Sequence, residues 1–566
     1  NNSNFDNNSG IIGNNNTNNT VQNMLVVGHD NTSTSNLSNL TVGKSNNVTN
    51  GETSGVFGSD NTENNSEATM IIGSSNITNT NIDSIIVGKQ NEAENNKRIG
   101  VIGNIIDVSN NTENSLLVGK NHREKTGKQN ITGGESNKLT TTINNITSGS
   151  KNEITDGSAN LVQGHWNIVS SNKNSMVFGK LNNISNNNSI GALGSNNIVN
   201  NTSENSLIVG FQNTENNGTN DIVYGSLNNS TTNQNTLTGG VSNITSTNNK
   251  SMIVGDNNTI TSTENTSVLG KQNQVSQSNR SSIIGIANNS TSSVNTIIVG
   301  ESNVEKNGLS NAIFGKENDV SGATMTITSG FDNEIVDGSY NIIVGNSHNI
   351  SKSVESSITG KNITLNDSSQ VLASGEANNI NTNTVGSFVS GKNNSEITGQ
   401  YNIVSGLSNS STSNTKTIIS GEDNNVNTNN NSGVIGKSHQ VTNSNYSFTQ
   451  GISHTLNNSS KSVVFGLGNN VSSTDQSIVQ GNAHVATNNQ NVAIFGSTNN
   501  LNQEDNSLAI GNTNNIDFGE DSFYGGKNNT IQTTKQSIVV GTQNVSNTNT
   551  NSAVFGKSNG VSSSTE

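Results

Sequence analysis

A glycine returns every fifteen residues along this chain without a miss. It stands at Gly13, Gly28, Gly43, Gly58, Gly73, Gly88 and Gly103, runs in fifteens from Gly119 to Gly194 and from Gly210 to Gly375, and ends with Gly391 to Gly556. Only three intervals are sixteen residues: 103 to 119, 194 to 210 and 375 to 391. The series holds 37 of the chain's 57 glycines. A fixed short period means that one supersecondary unit is stacked many times and that each copy packs mainly on its neighbours. No linker interrupts the phase, so residues 1–566 read as one continuous solenoid domain, with repeats from about residue 8 to 561.

The consensus of a turn is S-I-I-V-G-x-x-N-x-V followed by five polar residues. Triplets such as Ile85-Ile86-Val87, Leu207-Ile208-Val209 and Ile297-Ile298-Val299 precede the glycine. Their length and β-branching give a strand. The glycine, as at Gly88, Gly179, Gly210, Gly255, Gly270 and Gly300, ends that strand where the chain bends. Three and five residues later come pairs such as Asn46 and Val48, Asn258 and Ile260, and Asn318 and Val320, which share one face of a second, shorter strand. The remaining polar residues turn the chain back.

The first strand does not alternate in polarity. Placing Ile85 and Val87 in the core puts Ile86 outside. The same phase holds Val177, Ile208, Val223, Ile253, Val268, Ile298 and Ile343, which would stack as an outward β-branched stripe. So long an apolar stripe calls for a partner, most simply copies of the same chain.

The asparagine phase makes an internal ladder, because identical amides at strand spacing bond to one another along the axis. Five of the seven histidines, His122, His348, His439, His454 and His484, share that phase. They read as ladder members rather than a metal or pH site, since only His439 and His454 are in adjacent turns.

Composition sets the outer limits. Hydrophobic residues make up 27% and aromatics 3%, too little for a thick core, while charged residues at 12% are fewer than disordered chains carry. A net charge of −14 speaks against nucleic acid or an anionic membrane surface as partner. No apolar run is long enough to span a membrane, so direct membrane insertion by this segment is not expected. There is no Cys, hence no disulfide or thiolate metal site, and no Pro, which suits a chain of ladders. No signal peptide is read at the N-terminus, and the chain is taken for a mature or trimmed segment.

The unit N-S-[VIL]-x-[IVF]-G-x-x-[NS], as in "NSLIVGFQN" from Asn205 to Asn213, resembles the head repeat of YadA-like trimeric autotransporter adhesins. The resemblance covers nearly the whole chain. It implies an all-β, left-handed parallel β-roll of about 37 fifteen-residue turns, three chains packed side by side, and a bacterial cell-surface head binding host-cell or matrix proteins. No heptad stalk, neck segment or membrane-anchoring strands are read in these residues, so a structural fibre or filament subunit, as in a phage tail fibre or an extracellular matrix, is the alternative.

No enzyme is expected, because short turns make no cleft that gathers acids and bases. No cofactor or metal is expected: "TGG" and "YGG" are strand ends without a following helix, and the calcium repeat G-G-x-G-x-D is absent. Ice binding is disfavoured because Thr does not hold one phase. Trp166, two residues after Gly164, is expected to point outward as a candidate exposed contact.

Overall fold

The computed structural model describes residues 1–4 and 7–565. The chain falls into two compact units, Asn1–Ile286 and Ala287–Glu566. Each is a parallel β-solenoid, and no helix occurs among the described residues. The first unit has nineteen five-residue strands and nineteen three-residue strands; the second has eighteen and nineteen.

A turn has three sides. The long strand closes one residue past the glycine, as in Ile85–Lys89. The short strand follows, as in Glu92–Glu94. The third side is held by a single bridge per turn, as between Ile82 and Lys97. Pairing is parallel and keeps phase: Ile86 lies against Ile71 and Val101, and Gly88 against Gly73 and Gly103.

The three corners explain much of the composition. In the turn of Gly210 the left-handed residues are Gln212, Asn217 and Asn220, with φ of 54°, 53° and 56°. They stand two, seven and ten residues after the glycine, and other turns repeat the pattern, most often with Asn, Asp, Ser, Thr or Gln. Asn and Asp tolerate this region best, because their short polar side chains bond locally. Each sixteen-residue turn absorbs its extra residue at the middle corner, where Asn110 and Asn111, Asn201 and Thr202, or Thr382 and Asn383 are both left-handed.

The turn glycine is required twice over. Its φ lies between 103° and 149°, where L residues are strained. A Cβ on Gly255 would also overlap the carbonyl oxygen of Gly270 in the next turn. Side chains are excluded here by the neighbouring backbone as well as by the bend.

Five side chains per turn point inward. After Gly88 they are Asn91, Ala93, Asn96, Ile99 and Val101, all buried. Two aliphatic columns meet in the middle: the residue two before the glycine and the residue five after it. Polar columns occupy the three corners.

Gly255→Ala should destabilise its unit by at least about 3 kcal/mol. Gly468→Asn should change stability by no more than about 0.5 kcal/mol, since Gly468 sits at an open left-handed corner with φ of 66° and nothing near its missing Cβ. Thermal and urea unfolding of the two variants check the contrast.

Candidate interaction surface

The polar ladder is the inner half of the surface problem, because it decides which residues are left outside. The N–H of Asn258 donates to Oδ1 of Asn243 at 3.0 Å. Its Nδ2 donates to the same oxygen at 2.9 Å and to the carbonyl of Gly270 at 2.8 Å. Over the 37 turn glycines, the position three residues later holds thirty Asn, five His and two Ile. The other two corners work alike: Gly51 N–H donates to Oδ1 of Asn36 at 2.6 Å, and Ser54 N–H to Oδ1 of Asn39 at 2.7 Å. Where these corner columns are polar, the residue after the left-handed one sends its amide along the axis and a side chain one turn back accepts it.

The histidines fill this role as expected. His439 and His454 stack with centroids 4.9 Å apart, 8° from parallel. Nδ1 of His439 accepts the N–H of His454 at 3.1 Å, and Nδ1 of His454 accepts that of Asn469 at 3.1 Å. Each Nε2 faces a carbonyl, of Ile435 or Gln450, at 3.2 Å. N–H groups only donate and carbonyls only accept, so the neutral Nε2–H tautomer is set. Burial lowers all five ladder histidines, and the neighbouring His439 helps bring His454 down to about 4.

The outward side of the long strand corrects the sequence expectation. Ile86, Val177, Ile208, Val223, Ile253, Val268, Ile298 and Ile343 are fully buried and form the core, not an oligomer stripe. Ile85, by contrast, is 49% exposed. The corner places the residue four before the glycine inward, so strand alternation takes the next residue out, the following one in and the third out. The apolar face therefore consists of two columns. The one three residues before the glycine includes Ile85, Ile131, Met176 and Ile222 in the first unit and Ile297 and Ile342 in the second; the one just before it includes Ile72, Ile102 and Val118 in the first and Phe314 and Val344 in the second. Around Ser374, Ser390, Ser405 and Ser420 the second column becomes polar, while Leu372, Ile403 and Ile418 keep the first apolar and exposed.

The missed signal was uniformity of size. The inward position is almost always Val, Ile, Thr or Ala, because a narrow core takes one volume, whereas the outward ones range from Gly and Ser to Met, Phe and Tyr. Tyr224 accordingly points outward and Tyr524 inward, with its hydroxyl 2.8 Å from that of Thr534.

Trp166 is 45% exposed at a left-handed corner, with φ of 57°. His165 stacks on it at 5.4 Å, and Lys151 Nζ lies 4.9 Å over the ring. Among the described residues, no group of three or more His, Cys, Asp or Glu gathers where a metal ion could bind. Turn-to-turn ion pairs such as Lys138–Glu153 at 2.6 Å and Lys535–Glu520 at 2.9 Å line the exposed flanks. Such exposed pairs contribute little to stability.

No protein-family model matches the chain, and no curated protein matches it.

Asn228→Ala removes the acceptor for the Asn243 N–H and should cost about 1–3 kcal/mol, whereas Asn228→His should recover most of the loss. Local hydrogen exchange around Gly240 reads both variants. The His454 ring is neutral when folded and protonates more readily when unfolded, so stability falls as pH drops from about 6.5 toward about 4. His454→Asn should shrink the drop in melting temperature across that window.

Proposed function

We propose that the chain is the head of an extracellular fibrous adhesin, a homotrimer of left-handed β-roll turns on a bacterial cell surface, similar to the heads of YadA-like adhesins. The observation that carries this reading is the double apolar column on the outside of the long strand. Parallel in-register pairing repeats an outward Ile, Leu, Met or Val at strand spacing, about 4.8 Å. Single exposed apolar residues are ordinary, but a band repeated over many successive turns is a surface built for a partner. A second and third copy present the same band at the same spacing, which makes self-association the simplest match. The remaining polar flanks repeat as well, so weak contacts with a host-cell or matrix surface multiply from turn to turn.

Light scattering after size exclusion tests the assembly. The expected mass is near three times 59.1 kDa and survives dilution. Large species that grow with concentration would favour a filament subunit instead, and a stable monomer would overturn the reading. Ile342→Lys combined with Val344→Lys should break the assembly while preserving the β-sheet spectrum. Ile343→Lys, aimed into the core between them, should disrupt folding of its unit instead. Adhesion is then read by binding of the assembled protein to host cells and a panel of matrix proteins, with the Ile342/Val344 variant as control.

A further inference from the structure

Besides Glu63, which is followed by Ser66 and Thr69, four glutamates lie in the inner column five residues after the turn glycine: Glu124, Glu215, Glu305 and Glu396. They recur 91, 90 and 91 residues apart, six turns at a time. Each is followed three residues later by a glycine and six later by Asn or Asp, which defines a box E-x-x-G-x-x-[ND] ending at Asn130, Asp221, Asn311 and Asn402. A lysine directly after the turn glycine, Lys89, Lys180, Lys271 or Lys361, stands two turns before each box. Between Glu124 and Asn402 the boxes therefore follow a second, six-turn period.

Geometry explains the box. The four glutamates are fully buried. A Cβ on Gly127, Gly218, Gly308 or Gly399 would collide with Oε1 of its glutamate, so the glycine supplies the space for the carboxyl group. Nδ2 of the closing asparagine donates to that oxygen at 2.7 Å for Glu124, 2.8 Å for Glu305 and 2.6 Å for Glu396. Ser115 adds a hydroxyl to Glu124 at 2.8 Å. The second carboxyl oxygen of each of these three, and both oxygens of Glu215, are buried without a well-aligned hydrogen bond; the hydroxyls of Ser230 and Ser411 are the polar groups that act on Glu215 and Glu396, and neither is charged.

The columns on either side hold no counter-charge. Glu124 lies between Val108 and Leu139, Glu215 between Val199 and Ser230, Glu305 between Ser290 and Val320, and Glu396 between Ile380 and Ser411. The titratable groups nearby are His122 on the inner face of Glu124's turn, Asp221 beside Glu215, and Asp319, which acts on Glu305 from the next turn. None of these is a cation bonded to a carboxylate. A buried carboxylate with an orphan oxygen and no cation is far costlier than the neutral acid.

We propose that the four boxes are proton-binding sites, folded as neutral carboxylic acids, and that losing the proton loosens the solenoid at those turns. Burial raises Glu124, brings Glu396 to about 7 and Glu305 to about 8, and raises Glu215 further, with the Asp221 carboxyl adding to the effect. A raised folded value means that the folded state holds protons the unfolded chain has released. The stabilising contribution is complete below the ordinary 4.5 and is lost as pH rises through the folded values.

Hydrogen exchange at about pH 5 and about pH 9, corrected for intrinsic rates, tests this on the full chain. Protection should fall at high pH first in the turns of Glu124, Glu215, Glu305 and Glu396, and Glu124→Gln with Glu305→Gln and Glu396→Gln should remove that fall at the three substituted turns. Equal protection at both pH values, or an unchanged fall in the triple variant, would overturn the proposal. Infrared spectroscopy of the unsubstituted protein gives a readout that does not depend on the variant folding. Protonated carboxyl absorption should persist near pH 6, well above the ordinary glutamate range, and its absence there would refute the neutral acids.

Discussion

The structure depends on the backbone amide that follows each left-handed corner. At three places per turn the chain bends through a residue with positive φ, and the next N–H leaves the sheet and points along the axis. It is buried, so it must be accepted. Where the column is polar, a side chain one turn back accepts it: an amide oxygen at Asn16 for Asn31, at Asn36 for Gly51, and at Asn39 for Ser54. Every turn is thus tied to its neighbour at the corners as well as along the strands. The abundance of Asn, Ser and Thr, which resembles the composition of a disordered chain, is what this architecture consumes.

The corners also decide what happens to apolar residues. With three inward columns given largely to polar ladders, two remain for aliphatic side chains; the long-strand column is almost all Val, Ile, Leu, Thr and Ala, while the short-strand column also takes Ser and the buried glutamates. Larger side chains such as Met176, Phe314 and Tyr224 go to the outer face of the long strand, where they meet Ile85 and its counterparts. The core and the candidate interface are two sides of one strand, separated by a single residue. A change of partner surface therefore need not disturb the core, as long as the alternation is kept.

Much of this was legible in the sequence. Gly255 and its 36 counterparts gave the period, Asn258 and its counterparts gave the inner ladder, and the exchange of Asn for His439 and His454 followed from position alone. The facing of the long strand was not legible from polarity, because Ile85, Ile86 and Val87 are all apolar, and parity must be counted from a corner that propensity does not locate. The glycine was assigned to a bend, and its steric need, the carbonyl of the next turn, is visible only once turns are stacked. The buried glutamates escaped for a similar reason: Glu124 among polar neighbours looks like any loop acid until the short strand turns it inward.

A stack of near-identical turns has a difficulty of its own: a strand one turn out of place finds almost the same partner. Uniform columns of Asn and Val cannot tell a correct threading from a slipped one, since either restores every corner bond. The irregularities break that degeneracy. Ile106 and Ile363 interrupt the amide column, the double corners at Asn110–Asn111, Asn201–Thr202 and Thr382–Asn383 fit only their own neighbours, and a glutamate box accepts only a turn that leaves it room. Sparse flaws in a periodic chain thereby act as addresses, and a fold that looks monotonous carries the marks by which it counts its own turns.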